Sequence, residues 1–435
     1  MPRRAATPPM GWNSWDSFGT TVTEDEVLAN ARVLHDHLLP HGWDHVVVDI
    51  AWYDPTARSH GYNADAPVVL DGYGRQLPAP NRFPSAADGA GFRPLADAVH
   101  ALGLRFGVHV MRGIPRAAVH ADLPVHGTTW TARDAADTAS TCAWNPDNYG
   151  LDHDHPAAQA YLDAQVAQLA GWGVDLVKVD DMIAPYHHRA VEGWALAIER
   201  SGRDITLSLS PGTALATTHL PHLREHAQMW RVSDDLWDRW EDVHAQFARM
   251  ARWAPHQRPG GWADADMLPL GRIGIRAERG EPRHSRLTPD EQRTLLTLWV
   301  MARSPLMVGG DLPTSTPETI DLLATPAVGH VLRTLTASGE ALREPLPDGP
   351  GGHDQHGDVV VWTGEAPDAR YAAVFSTADA PRQVRVPVSS LVPDAVVARD
   401  VRDLWDHDAP VPRDGADLVL DVPAHGVRWL ALPTT

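Results

Sequence analysis

Gly171-Trp-Gly-Val-Asp-Leu-Val-Lys-Val-Asp-Asp-Met182 is the stretch on which the reading of the whole chain turns. Its glycines read as the end of a helix and Val174 to Val179 as a short apolar strand, which breaks at Asp180 and Asp181. A strand buried on both faces is an apolar run, so Asp175 and Lys178 inside it need a physical reason. Side chains alternate along a strand, so Lys178 and Asp180 point to the same side near its C-terminal end. Parallel α/β folds place their chemistry at that end. The alternative is a buried ion pair that only orients the strand.

Working outward, seven more short apolar runs follow the same plan. Trp12–Trp15 reads as a first strand with polar and aromatic residues at its exit, and His45–Trp52 as a second that reaches a carboxylate at Asp49. Leu104–Val110 is a third, the opening stretch the fourth, Ile205–Ser210 a fifth and Gln228–Ser233 a sixth. Trp262–Met267 is a seventh and Pro305–Val308 an eighth. Helical patterns lie between them: Thr23-Glu-Asp-Glu26 is a capping box followed by apolar residues at helical spacing, and Thr288–Glu291 is another. Eight strands alternating with helices predict a (β/α)8 barrel over residues 1–335. Two long segments interrupt it, Tyr53–Gly91 and Met111–His155. Loops of that length inside a compact domain are commonly functional, so they read as walls of an active site.

After residue 335 the pattern changes to short β-type runs separated by turn signals: Val359–Trp362, Ala372–Phe375, Val384–Val388, Ala395–Ala398, Leu418–Val422 and Val427–Leu432. Residues 336–435 therefore read as a small antiparallel β-sandwich domain, entered through a Pro/Gly-rich linker at Pro345–Gly357. Lys+Arg 37 against Asp+Glu 56 gives a net charge of −19, which argues against nucleic acid or an anionic membrane as partner. The single cysteine, Cys142, excludes an intramolecular disulfide and a multi-cysteine zinc site. Without an apolar leader segment or an 18-residue apolar run, the expected location is cytoplasmic. A homo-oligomer is compatible with the sequence.

Asp180 and Asp235, on the fourth and sixth strands, offer two carboxylates at one barrel mouth. Cleavage of a glycosidic bond requires such a pair, one as nucleophile and one as general acid/base. Lys178 is expected to keep a neighbouring carboxylate ionised. The aromatic segment before Asp235 is expected to bury that residue and raise its pKa towards that of an acid. Tryptophans at strand ends, among them Trp15 and Trp262, could offer apolar faces to a sugar ring.

Six blocks carry a resemblance: Met10–Trp15, Val46–Trp52, Asp175–Asp180, Trp230–Asp235, Gly260–Leu268 and Ser304–Met307. In this order they resemble glycoside hydrolase family 27, which contains the α-galactosidases and α-N-acetylgalactosaminidases of the melibiase type. The resemblance covers nearly the whole chain. It implies a retaining exo-glycosidase acting on α-linked galactose-like residues, with Asp180 as nucleophile and Asp235 as acid/base. It further implies that Trp15, Asp49, His109, Lys178, Ser210, Arg231, Trp262 and Asp266 bind the sugar, without metal or other cofactor. Two departures bear on the sugar. Where the family's α-galactosidases carry two consecutive aspartates that read the 4- and 6-hydroxyls, this chain has Asp49 followed by Ile50. At the position that reads the sugar's 2-substituent it has the small Ser210. His109 replaces a common tyrosine. The same mechanism on an α-N-acetylgalactosaminide, β-L-arabinopyranoside or α-glucoside is therefore an alternative.

Two readings of another class stand beside these. Twenty-four histidines, with clusters at His153-Asp-His155 and His187-His188, raise a metal-dependent barrel hydrolase. Those clusters fall in loops and at helix starts, where a solvated surface is the simpler reading. A carbohydrate-binding protein on an inactive barrel is opposed by the presence of both carboxylates.

Overall fold

In the computed structural model, the structure describes residues 4–63, 66–345, 357–367, 369–391 and 401–433. Eight parallel strands form one sheet: β1 (Met10–Asn13), β2 (His45–Val48), β3 (Arg105–Met111), β4 (Leu176–Asp180), β5 (Thr206–Leu209), β6 (Met229–Arg231), β7 (Trp262–Asp264) and β8 (Leu306–Val308). They lie side by side in chain order, and β1 pairs with β8. Just beyond β7, the Leu268 amide donates to Met307 O (2.8 Å) and Leu268 O accepts from the Gly309 amide (3.0 Å), which closes the ring. Helices follow every strand along the chain, so the architecture is a (β/α)8 barrel followed by an antiparallel β-sandwich domain. Among the described residues no helix is long and apolar enough to cross a membrane.

The opening stretch folds as its residues require. The helix Pro156–Trp172 ends where Gly173 takes a left-handed conformation (φ 90°), which glycine enters without a Cβ penalty. The two charged residues within the strand run have different explanations. Asp175, just before β4, accepts from the Phe106 amide (2.9 Å) and the Arg203 guanidinium (2.6 Å), and lies 2.7 Å from His100 Nε2. It is a structural tie at the N-terminal end of the barrel. Lys178 belongs to the opposite end, beside its register partners His109 on β3 and Ser208 on β5.

The chain divides into two compact units that interleave along the sequence. One contains residues 1–235, 259–285 and 306–320, and thus all eight barrel strands. The other contains residues 236–258, 286–305 and 321–435. A single boundary at 335/336 does not describe this division, because the helices Trp240–Trp253 and Pro289–Ala302 group with the C-terminal strands. Phe247 meets Phe375 edge-on (5.0 Å), Trp240 stacks on His425 (4.0 Å), and Trp405 Nε1 donates to Thr297 Oγ1 (2.8 Å).

Within this second unit, antiparallel sheets enclose an apolar core from Val359, Val361, Val374, Val384, Val386, Leu418, Leu420 and Leu430. Alternation in Arg382–Pro387 and Asp417–Val422 turns one face of each strand inward. Ala337–Pro345, for which the sequence suggested no strand, is a nine-residue strand paired with Asp358–Glu365. The expected run at Ala395–Ala398 and residues 346–356 of the expected linker lie outside the described residues. The segment Met111–His155 carries a small antiparallel sheet, with Asn148–Leu151 between Ile114–Pro115 and Ala136–Thr141.

Candidate active site

Parallel register sets the site. His109 lies beside Lys178 and Met111 beside Asp180, so the exits of β3 and β4 bring a histidine, a lysine and a carboxylate together. Asp49 follows β2. Its Oδ1 is 2.6 Å from His109 Nδ1, and its Oδ2 accepts from Asn13 Nδ2 (2.9 Å) and lies 3.7 Å from Lys178 Nζ. His109 Nε2 is 3.1 Å from Asp180 Oδ2, so the imidazole lies between two carboxylates. Burial opposes its charge, but Asp49 and Asp180 overcome that and raise its pKa. Burial likewise opposes ionisation of Asp180, yet His109, Lys178 and Arg231 hold it down to about 2. Asp49 is depressed further by His109 and Lys178, against the effect of its own burial.

Asp181 takes another course. With φ 59° its side chain turns away, accepting from Arg112 Nη2 (2.7 Å), while its amide donates to Asp180 Oδ1 (2.9 Å). Of the two adjacent aspartates, only Asp180 joins the histidine–lysine cluster.

Across the mouth, β6 ends at Arg231. Its Nη1 donates to Asp235 Oδ1 (3.0 Å), its Nη2 donates to Ser233 O (3.2 Å), and its Nε lies 3.3 Å from Asp266 Oδ1. This i,i+4 pairing selects Asp235 over its neighbour Asp234 as the residue facing the arginine. The Asp235 side chain is 41% exposed, against 11% for Asp180. The expected burial of Asp235 is therefore incorrect: the chain has left β6 four residues earlier and carries the carboxylate out over the mouth. Asp266 (φ 88°) is buried on this side, as is Asp264. Burial, with Asp235 and Asp264 nearby, raises the Asp266 pKa to about 7 despite Arg231.

The other expected sugar contacts divide by accessibility. Asp180, Lys178 and Asp235 reach the open mouth, whereas Asp49, His109, Arg231 and Asp266 lie just behind and hold them. Ser210 is fully buried at the exit of β5, its Oγ without a hydrogen-bond partner among the described residues. Trp262 is also fully buried, in the same apolar cluster as Trp15 and Ile50, and donates Nε1 to Ala5 O (2.7 Å). Trp15 and Ile50 share one apolar cluster with Met111, Cys142, Met267 and Met307. Ile50 is 0% exposed.

Three further residues join the site without having been singled out. Tyr62 stacks on Trp15 (5.9 Å, 28°), and burial together with Asp180, Asp49, Glu278 and Asp235 raises its phenol pKa well above the usual range. Trp144, 39% exposed, tilts against Tyr62 at 5.6 Å. Both lie in the two long segments read as walls, so the signal marked the segment but not the residue. Asp16 is buried, and its Oδ2 has no hydrogen-bond partner among the described residues. It presses against Gly309, where a Cβ would lie 2.0 Å from that oxygen. Burial, then Asp266, Asp235 and Asp49, raise its pKa strongly. The arrangement provides a carboxylate, Asp180, kept low in pKa by neighbouring cations, and a second, accessible carboxylate, Asp235, paired with the arginine that also acts on the first.

Residues 148–331 match the profile of Alpha galactosidase A, and residues 356–432 that of the Alpha galactosidase C-terminal beta sandwich domain. Alpha-galactosidase 3 of Arabidopsis thaliana is 25% identical over 436 residues, covering 98% of this chain and 82% of that protein. Rat alpha-N-acetylgalactosaminidase is 28% identical over 342 residues, 74% of this chain and 66% of that protein. A solved structure of a family 27 β-L-arabinopyranosidase from Geobacillus stearothermophilus, in complex with arabinose, is 43% identical with a TM-score of 0.91. That match covers 99% of this chain and 98% of the other.

Proposed function

Because the chain belongs to glycoside hydrolase family 27, we propose that it is a retaining exo-glycosidase whose sugar is a terminal β-L-arabinopyranoside. In this reading Asp180 attacks the anomeric carbon while Asp235 protonates the departing oxygen. Asp235 then deprotonates the water that releases the sugar from Asp180, so the anomeric configuration is kept. The low pKa of Asp180 supports the nucleophile's role, since it is ionised at any ordinary assay pH. The openness of Asp235 supports a group that must meet both leaving group and water.

One observation carries the choice of sugar. Ile50 is a buried apolar residue in a cluster of Trp15, Met111, Met267 and Met307, where the family's α-galactosidases would read a hydroxymethyl edge. β-L-Arabinopyranose has the ring stereochemistry of α-D-galactopyranose and lacks the hydroxymethyl group. An apolar wall suits it, whereas the 6-hydroxyl of galactose would lose a partner there at about 1–3 kcal/mol. The similarity to a β-L-arabinopyranosidase along almost the whole chain supports the same reading.

The test is a p-nitrophenyl glycoside panel of β-L-arabinopyranoside, α-D-galactoside, α-N-acetylgalactosaminide and α-D-glucoside. The arabinoside is expected to have a kcat/KM at least about tenfold above the galactoside. Ile50→Asp is expected to narrow that gap, and Asp180→Asn to lose at least about 1000-fold in kcat. Equal or better turnover of another sugar would remove the arabinoside assignment. An active Asp180→Asn enzyme, or an inverted first product by NMR, would remove the mechanism.

A further inference from the structure

The helix His188–Ser201 and the shorter helix Leu220–His226 carry a cluster that the hydrolytic chemistry does not use. His222 and His226 are four residues apart and so share one face of their helix, and Glu192 comes from the other helix. One ligand atom from each of the three lies within 4.8 Å of the others. We propose that Glu192, His222 and His226 bind a divalent transition-metal ion of the zinc class, completed by water.

The metal-free geometry is already close to what such an ion needs. His222 Nε2 lies 3.1 Å from Glu192 Oε1. Zn–N and Zn–O bonds of about 2.0–2.2 Å at a tetrahedral angle set that edge at about 3.3 Å. The ion would replace the proton now shared between the two atoms, and His226 would close in from the next turn. A ligating histidine commonly hydrogen-bonds through its other nitrogen, which fixes the ring. His222 has that partner, with Nδ1 2.8 Å from the Tyr186 hydroxyl. A phenol can donate or accept, so the contact survives the tautomer change that metal binding requires. Tyr186 is held in turn by stacking on His219 (3.9 Å, 10°). Glu192 is exposed and both histidines are partly so, which leaves an entry path and positions for water. Two imidazoles and a carboxylate form a donor set suited to zinc, nickel or copper over magnesium or calcium. By joining two successive helices, the ion would bind the folded chain alone and stabilise it.

Isothermal titration of the full-length, EDTA-stripped protein with ZnCl2 tests the site. The expected result is one equivalent of tight binding that stands above the weak background of the chain's other histidines. His222→Ala and Glu192→Gln should each weaken it at least tenfold, and zinc should raise Tm in the wild type but not in these variants. Glycoside turnover should stay within twofold in all three proteins, which separates this site from catalysis and serves as the check on folding. Absence of a one-equivalent site in the wild type, or tight binding that persists in either variant, would overturn the proposal.

Discussion

Asp16 shows how much a single residue's surroundings decide. It directly follows Trp15, an aromatic read as sugar-facing, yet the short turn Trp15–Phe18 carries it into the interior against Gly309. There its carboxyl has burial and like charges around it, and its pKa is raised. A carboxyl raised in this way holds its proton to a higher pH in the folded protein than in the unfolded chain. Its contribution is neutral below the unfolded value of about 3.9 and increasingly unfavourable as pH rises above it. Asp16→Asn is therefore expected to raise Tm relative to wild type at pH 7 and to leave it nearly unchanged at pH 4. Equal shifts at both pH values would mean that folding does not raise the Asp16 carboxyl. Asp180 has the opposite sign: its depressed pKa contributes stability above about pH 4 that is lost as pH falls towards 2.

At the scale of elements, the β4 strand separates structure from chemistry within six residues. Asp175 ties Phe106, His100 and Arg203 together at one end, while Lys178 and Asp180 face the mouth at the other. Asp175→Asn would leave Arg203 and His100 without their charged partner and is expected to cost about 1–3 kcal/mol in urea unfolding. Its kcat/KM should remain within threefold of wild type. A large loss of activity at unchanged stability would refute the division. Strand and helix identities were legible because period-2 and helical patterns, capping boxes and terminal glycines are local signals. Thr23 and Glu26 do form their capping box. Tyr62 and Trp144 were not legible, because nothing local shows which aromatic of a long loop returns to the mouth.

For the whole molecule, the interleaving of the two units has a direct consequence. Helices Trp240–Trp253 and Pro289–Ala302 share a compact unit with the C-terminal strands, through the Phe247–Phe375, Trp240–His425 and Glu291–His425 contacts. Cutting the chain after residue 335 would strip apolar surface from those helices. Residues 1–335 alone are expected to aggregate or to bind a hydrophobic dye, without a cooperative unfolding transition. A monomeric 1–335 fragment that unfolds cooperatively and turns over the glycoside would show that the barrel stands by itself.

Sequence alone determined the eight-stranded alternation, the β-rich C-terminal region and the family, because these rest on periodicity and on residue blocks that survive in linear order. It also singled out Asp180 and Asp235 as candidates for the two carboxylates. Tertiary structure decided the rest. It put His109 between two carboxylates, turned Asp181 away to Arg112, left Asp235 open and Trp262 enclosed, and gathered Glu192, His222 and His226 from two helices. Charge state and accessibility depend on what surrounds a group in three dimensions. Its neighbours along the chain are only a small part of that environment.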